Sequence, residues 1–307
     1  MENRHLINWN SWSDKEIQQI LLLAKEIKDN PKDFADKLKQ KTLVMIFQKT
    51  STRTRVSFEV AMTELGGHAV FLDWNTSNFG LTEIGYESAY LSRNSHIMMA
   101  RMMKYEQVVD LADHASVPVI NGCCDRYHPC QAMADMLTIL MDKGEIKGAK
   151  LSYLGVHNNV VNSLMSLCAA LGVHLTLVCP IADEKVIHHA AKDRLKELGL
   201  LTETLDAKAA VANADFVYTD TWVDMEFFHD PTKQEMKEKR LQLMMPYQIN
   251  GALMEGSSAK IMHDMPIHAG FEIEHEMVED SRSIIYDQAE NRLHAQKAIL
   301  LYLLNEI

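Results

Sequence analysis

Two α/β domains are predicted for this chain, each a doubly wound parallel sheet, with the active site in the cleft between them. Three observations lead there. Short apolar runs alternate with segments of helical periodicity, and strands separated by helices pair in parallel. A polar break, Lys143-Gly-Glu-Ile-Lys-Gly148, interrupts that alternation near the middle, and the pattern restarts beyond it. The length, 307 residues, is that of two domains at roughly 150 residues each. The expected division is 1–143 and 144–287, with a last helix, 288–307, returning over the first domain.

The elements follow in order. Ser13 with Glu16 three residues on forms a capping box, and Ile17, Ile20, Leu21, Ala24 and Ile27 recur at helical spacing, so the first element is an amphipathic helix. The apolar run 42–47 predicts a strand. After a polar segment, Val56, Val60, Ala61 and Leu65 predict a helix that stops at Gly66-Gly67. Strands are expected at 68–72, 96–100 and 117–120, and helices at 106–115 and 129–141. Beyond the break come a strand at 150–154, a loop and a helix at 159–171. Strands at 174–178, 216–219 and 260–263 and helices over 183–198 and 230–243 precede the long helix 288–304. Two such halves hold small ligands where their strand ends face a crevice.

Composition narrows the function. A chain that is 47% hydrophobic and 24% charged is globular rather than disordered. Forty-two acidic against thirty-one basic residues leave a charge of -11, so neither nucleic acid nor anionic lipid is an expected partner. The five cysteines, Cys123, Cys124, Cys130, Cys168 and Cys179, are odd in number and lack disulfide-like spacing, as free thiols of a reducing compartment do. No leader pattern opens the chain, and no apolar run approaches the ~18 residues that cross a bilayer. A cytoplasmic protein without a membrane partner is expected.

The loop Gln48-Lys49-Thr50-Ser51-Thr52-Arg53-Thr54-Arg55 packs three basic side chains and four hydroxyls between a strand and a helix start. Backbone N–H groups at a helix N-terminus, hydroxyl donors and guanidinium forks suit a bound phosphate. A solvated cap with surface arginines has the same composition. Two features favour the phosphate: the segment sits at the carboxyl end of a parallel strand, and it has no apolar anchor. In Tyr127-His128-Pro129-Cys130-Gln131, Pro129 suits a first helical turn and leaves His128 at the N-terminal end. The helix dipole there favours a neutral ring that donates a hydrogen bond to a carbonyl, although a lone histidine in this position is more often a cap. Arg101, just past the apolar run 96–100, is on its own only a surface residue.

Ser51-Thr-Arg-Thr-Arg55, His128-Pro-Cys-Gln131 and Asp287-Gln-Ala-Glu-Asn-Arg-Leu-His294 stand in the order found in carbamoyltransferases, and the chain resembles the ornithine branch of the aspartate/ornithine carbamoyltransferase family. The likeness runs from about residue 47 to the C-terminus, through 115–122, Asn158-Asn159, Tyr218-Thr-Asp220 and Pro246-Tyr-Gln-Ile-Asn250. It implies that Ser51, Thr52, Arg53, Thr54, Arg101, His128, Gln131 and Arg292 bind carbamoyl phosphate. Arg53 and the hydroxyls of residues 51–54 would serve the phosphate, and Arg101, His128 and Thr54 the carbamoyl oxygen, where negative charge develops as an amine attacks. Arg53, Arg101, His128 and Asp264 are the expected catalytic residues. Asn159, Asp220, Asp224, Met225, Asp264 and Met265 would meet the amine. The resemblance also implies a homotrimer with sites at subunit interfaces. No metal or organic cofactor is expected, because phosphate leaves readily once its charge is neutralised.

Three stretches depart from the family pattern. Asp-x-x-x-Ser-Met-Gly becomes Asp220-Thr-Trp-Val-Asp224-Met225-Glu226, and His-Cys-Leu-Pro becomes His263-Asp264-Met265-Pro266. In 75–83, Asn78 and Leu81 replace a glutamine and a basic residue of the loop that a neighbouring subunit contributes. A carboxylate beside an alkylamine, whose pKa is near ~10.4, stabilises the protonated and unreactive form. Asp264 therefore hinders the usual nucleophile, takes its proton as a general base, or pairs with a cationic part of another substrate. Asp224 and Glu226 bring negative charge where the ornithine α-carboxylate approaches, unless they turn to solvent. The leading expectation is carbamoyl transfer to L-ornithine, giving L-citrulline and phosphate. The same chemistry on another basic amine or diamine is the alternative, and a carbamoyl-phosphate-binding oligomer without transfer activity is a third reading. A dinucleotide-binding dehydrogenase is weaker, because 154–159 lacks the G-x-G-x-x-G spacing.

Overall fold

Apolar runs between polar loops become strands buried on both faces, as parallel sheets require. The computed structural model describes residues 4–223, 228 and 230–307. Its strands are β1 (Thr42–Phe47), β2 (His68–Asp73), β3 (Ile97–Arg101), β4 (Val119–Cys123), β5 (Lys150–His157), β6 (His174–Ala182), β7 (Leu201–Glu203), β8 (Phe216–Thr219) and β9 (Lys260–His263). Its helices are α1 (Asp14–Asp29), α2 (Thr52–Glu64), α3 (Ile84–Ser92), α4 (Tyr105–Asp113), α5 (Pro129–Lys143), α6 (Asn159–Leu171), α7 (His189–Glu197), α8 (Ala207–Ala212), α9 (Gln234–Met244), α10 (His275–Val278) and α11 (Ile285–Leu304). Two all-parallel sheets result, in the orders β2-β1-β3-β4 and β7-β6-β5-β8-β9. This is the predicted fold class.

The strand orders place the cleft. From β1 the chain steps outward to β2 and then crosses back to β3 on the other side, so the loops leaving β1 and β3 diverge. In the second sheet the same reversal separates β5 from β8. Crevices in parallel sheets open at such reversals, at the carboxyl ends of the strands.

α5 and α6 hold the two halves together. Both are apolar nearly all round, the pattern of a helix with no solvent face, and every residue of α5 from Pro129 to Leu140 is buried. They pack on each other, and Gly144 and Gly172 end them in the left-handed conformation at φ 81° and 72°, where a side chain is strained. α11 then lies against α1, α2 and α5. One apolar cluster consequently contains Met45 of β1, Leu137 of α5, Leu164 of α6, Tyr153 of β5 and Leu300 of α11.

Local signals explain most boundaries and the exceptions. The capping box forms at α1, with Ser13 Oγ accepting from the Glu16 amide at 3.4 Å and the Ser13 amide donating to Glu16 Oε2 at 3.0 Å. β3 runs one residue later than expected and takes in Arg101. The expected helix over 183–198 begins at His189, because Asp183 Oδ1 accepts from the Lys185 amide at 2.9 Å and turns the chain first. α3 was not expected. It buries Gly85, Ser88 and Ser92 and exposes Tyr86 and Tyr90, reversing the usual apolar stripe, and Ser88 Oγ donates to the Leu111 carbonyl at 2.7 Å. β7 and α8 are too short for periodicity to reveal them. The five cysteines are free, and among the described residues no helix is long and apolar enough to cross a membrane.

Leu300 is fully buried where α11 meets the common core. Leu300→Ala is expected to lower stability by about 2–5 kcal/mol, read from the urea midpoint at unchanged m-value.

Candidate active site

Loops from both sheets, with side chains of α9 and the returning α11, enclose a cavity of about 110 Å³. From the first sheet come Lys49, Ser51 and Arg53 after β1, Arg101 at the end of β3, and Cys123 and His128 around the β4–α5 connection. The second sheet supplies Asn158 and Asn159 after β5, Asp220 after β8, and Asp264, Met265 and Pro266 after β9. α11 adds Arg292 and α9 adds Arg240. Among the described lining residues, five are basic and two are carboxylates.

The basic side is built for an anion. Ser51 caps α2, its Oγ accepting from the Thr54 amide at 3.2 Å, and so aims the first turn of the helix at the cavity. Of the three cations in that loop, Lys49 and Arg53 line the cavity. Arg55 turns away, its Nε donating to Glu59 at 2.9 Å and its guanidinium stacking 3.7 Å from the Phe71 ring centre. Arg292 is buried and donates to Gln131 Oε1 at 2.8 Å and to Thr54 Oγ1 at 2.5 Å. The buried Nε atoms of Arg53, Arg101 and Arg292 have no hydrogen-bond partner among the described residues. Buried guanidinium N–H groups that the protein leaves unmatched are donors for a ligand.

His128 stands at the N-terminal end of α5, ahead of Pro129, as expected. Its amide donates to Ser163 Oγ at 2.9 Å, which ties it to α6. Burial pushes the imidazole well below its ordinary pKa, and Arg292, Arg101, Lys49 and Arg53 add to the push. Burial and these four cations keep the ring neutral. Its buried Nδ1 has no hydrogen-bond partner among the described residues.

The opposite wall is acidic. Asp220 accepts from Asn158 Nδ2 and from the Thr221 amide, both at 2.7 Å. Burial and then the neighbouring Asp264 hold the Asp220 carboxyl well above its usual range. Asp264 is also raised by burial, against the pull of Arg292, Arg53, His263 and Arg101, and its Oδ1 lies 3.9 Å from Arg292. Two buried carboxylates that repel one another favour a shared proton or a cation between them. Asn159 Nδ2 donates to the Cys124 carbonyl at 2.7 Å, so it also fastens the second sheet to the β4–α5 loop. Met265 has a left-handed backbone at φ 62° and precedes a cis bond to Pro266. Asp224 and Met225, together with Glu226, lie outside the described residues.

Most of the residues expected from the sequence converge on this cavity, and three stand back from it. Thr54 and Gln131 are buried behind the wall, where both accept from Arg292. Thr52 is exposed and faces an adjoining hollow with Phe71 and Asp73, on the far side of Lys49 and Ser51. Leu81 is exposed and does not line the cavity. Lys49, Cys123, Asn158 and Arg240 also line the cavity, beyond the residues expected from the sequence. Lys49 was visible in the basic loop. Arg240 was not, since it sits in the charged run of α9 and reaches the site by donating to the Trp222 carbonyl at 3.1 Å.

Fold and cavity together define a two-domain α/β protein with a cleft where a basic wall faces an acidic one. Family models for the aspartate/ornithine carbamoyltransferases match nearly all of the chain, the carbamoyl-P binding domain over residues 4–141 and the Asp/Orn binding domain over 147–303. The chain belongs to this family and is a carbamoyltransferase of the ornithine carbamoyltransferase type. An ornithine carbamoyltransferase of Halalkalibacterium halodurans is 41% identical over 99% of this chain and 96% of its own length. One from Archaeoglobus fulgidus is 40% identical, covering 99% and 98%. The structure of the ornithine carbamoyltransferase from Pyrococcus furiosus superposes with a TM-score of 0.91 at 41% identity, covering 99% of this chain and 98% of that one.

His128 should stay neutral where ordinary histidines titrate, around ~6.5. NMR of the ¹³C-labelled ring is expected to show no protonation of His128 across that range, whereas exposed histidines titrate. A normal titration would remove the buried neutral donor from the site.

Proposed function

We propose that the enzyme transfers the carbamoyl group of carbamoyl phosphate to the side-chain amine of L-ornithine, giving L-citrulline and phosphate. The observation that carries this reading is the facing of unmatched arginine donors on one wall by two buried carboxylates on the other. The names of the full-length relatives favour ornithine as the acceptor. Residues 1–143 with the returning helix 288–307 form the donor half of this reading, and 144–287 the acceptor half.

Lys49 and Arg53 neutralise the phosphate, and the capped N-terminus of α2 adds partial positive charge. Arg101, Arg292 and neutral His128 converge on the carbamoyl oxygen. The acceptor nitrogen attacks the carbamoyl carbon, forming the C–N bond and shifting the carbonyl pair onto oxygen, where those donors hold it. Collapse of the tetrahedral intermediate breaks the C–O bond, and phosphate leaves with the electron pair. Asp264 takes the proton that the nitrogen sheds, a role that its raised pKa suits. Asp220, held by Asn158, receives the remaining ammonium of the acceptor.

Arg53→Ala is expected to lower kcat/KM for carbamoyl phosphate by about a hundredfold or more, with an unchanged circular dichroism spectrum. An equally active variant discards the phosphate assignment.

The pair Asp220 and Asp264 also favours a second reading, in which a diamine without an α-carboxylate is the better acceptor, since it brings the same second cation as ornithine without adding a third carboxylate beside them. Steady-state formation of ureido product from ornithine, lysine and putrescine decides between the two. Ornithine is expected to lead by about tenfold or more in kcat/KM. A lead for putrescine establishes the diamine instead. Carbamoyl phosphate binding without transfer to any amine leaves a binding protein.

A further inference from the structure

Behind the cavity, α5 carries a carboxylate that touches neither substrate wall. Asp135 is completely buried, and three neutral donors surround it. Oδ1 accepts from Gln131 Nε2 at 2.9 Å and from Gln288 Nε2 at 2.7 Å, and Oδ2 accepts from the Tyr218 hydroxyl at 3.1 Å. The donors come from three elements, α5, α11 and β8. Burying a carboxylate is costly, and a Leu here would serve the core better unless the acceptor has a task.

The task follows from amide chemistry. A glutamine amide has one donating end and one accepting end. With its nitrogen turned to Asp135, Gln131 must present Oε1 to Arg292, where it accepts at 2.8 Å. Gln288 must likewise present Oε1 to the His263 amide, which donates at 2.8 Å. A reversed amide in either place would set N–H against N–H. His263 closes β9 immediately before Asp264, and Tyr218 stands two residues before Asp220. The arrangement survives protonation of Asp135, whose pKa burial pushes up to about 8. Oδ1 faces two amide nitrogens that can only donate, so a proton goes to Oδ2, where the Tyr218 hydroxyl can turn to accept it.

We infer that Asp135 is a positioning residue for both substrates: by fixing which way two glutamine amides face, it sets Arg292 on the donor side and the end of β9, with Asp264, on the acceptor side. This rests on the proposed assignment of the arginine wall to carbamoyl phosphate. Asn at this position keeps an oxygen toward the two glutamines and offers its nitrogen to Tyr218, so it preserves the arrangement. Ala does not.

Michaelis constants for carbamoyl phosphate and ornithine, with thermal melts, test the inference on the full-length enzyme. Asp135→Ala is expected to raise both constants by about tenfold or more, and Asp135→Asn to keep both within about threefold of wild type. A purely structural role reduces the amount of active enzyme and leaves both constants alone. Gln288→Met loosens only the β9 arm and is expected to raise the ornithine constant while that for carbamoyl phosphate holds. Wild-type constants in Asp135→Ala, or in Gln288→Met if Asp135→Ala does not fold, overturn the inference. Failure of the donor assignment is a separate outcome, seen in wild-type enzyme that does not saturate with carbamoyl phosphate.

Discussion

A guanidinium taken out of water must find partners for its charge and its N–H groups, and the interior of this protein is arranged around that demand. Arg292 is only 2% exposed. Two of its nitrogens are matched by Gln131 and Thr54, its charge is partly balanced by Asp264 at 3.9 Å, and its Nε is left for something else. The residue reaches this place because α11, which follows the second sheet, comes back across α5. Arg53 and Arg101 extend the same unbalanced charge to the loops of the first sheet. Concentrated cation in a low-dielectric pocket is unfavourable without an anion and strongly favourable with one. Such a cleft suits a small anion, which is what the proposed donor supplies.

The facing wall departs from the family pattern in the opposite sense. Asp264 stands there as a buried carboxyl, raised by burial against the pull of Arg292 and Arg53. Burial holds both carboxyls above their ordinary range, and for Asp220 the neighbouring Asp264 adds to it. The site thus balances an excess of cation against a surplus of buried acid.

Much of the fold was legible because the strong signals are local. The helix over Asn159–Leu171 and the strands Phe216–Thr219 and Lys260–His263 fall where the apolar pattern places them, since caps and short buried runs leave little choice. α3 escaped because its buried face consists of glycine and serine, held by hydroxyl-to-carbonyl bonds rather than by apolar area. In the site, Arg53, Arg101, His128 and Asp264 could be named from motifs. The sequence could not reveal that Thr54 and Gln131 act through Arg292, nor that Arg240 arrives from a distant surface helix. Such relations depend on tertiary packing, which no spacing along the chain encodes.

The place of α11 also governs how the molecule is made. The first half reads as a self-contained run of alternating strands and helices, yet its core has an open side that only a segment synthesised after the entire second half can fill. Vectorial emergence from the ribosome leaves that surface uncovered while more than a hundred further residues are added. Native assembly of the first half is thereby postponed until α11 itself has emerged, and its apolar side stays uncovered until then.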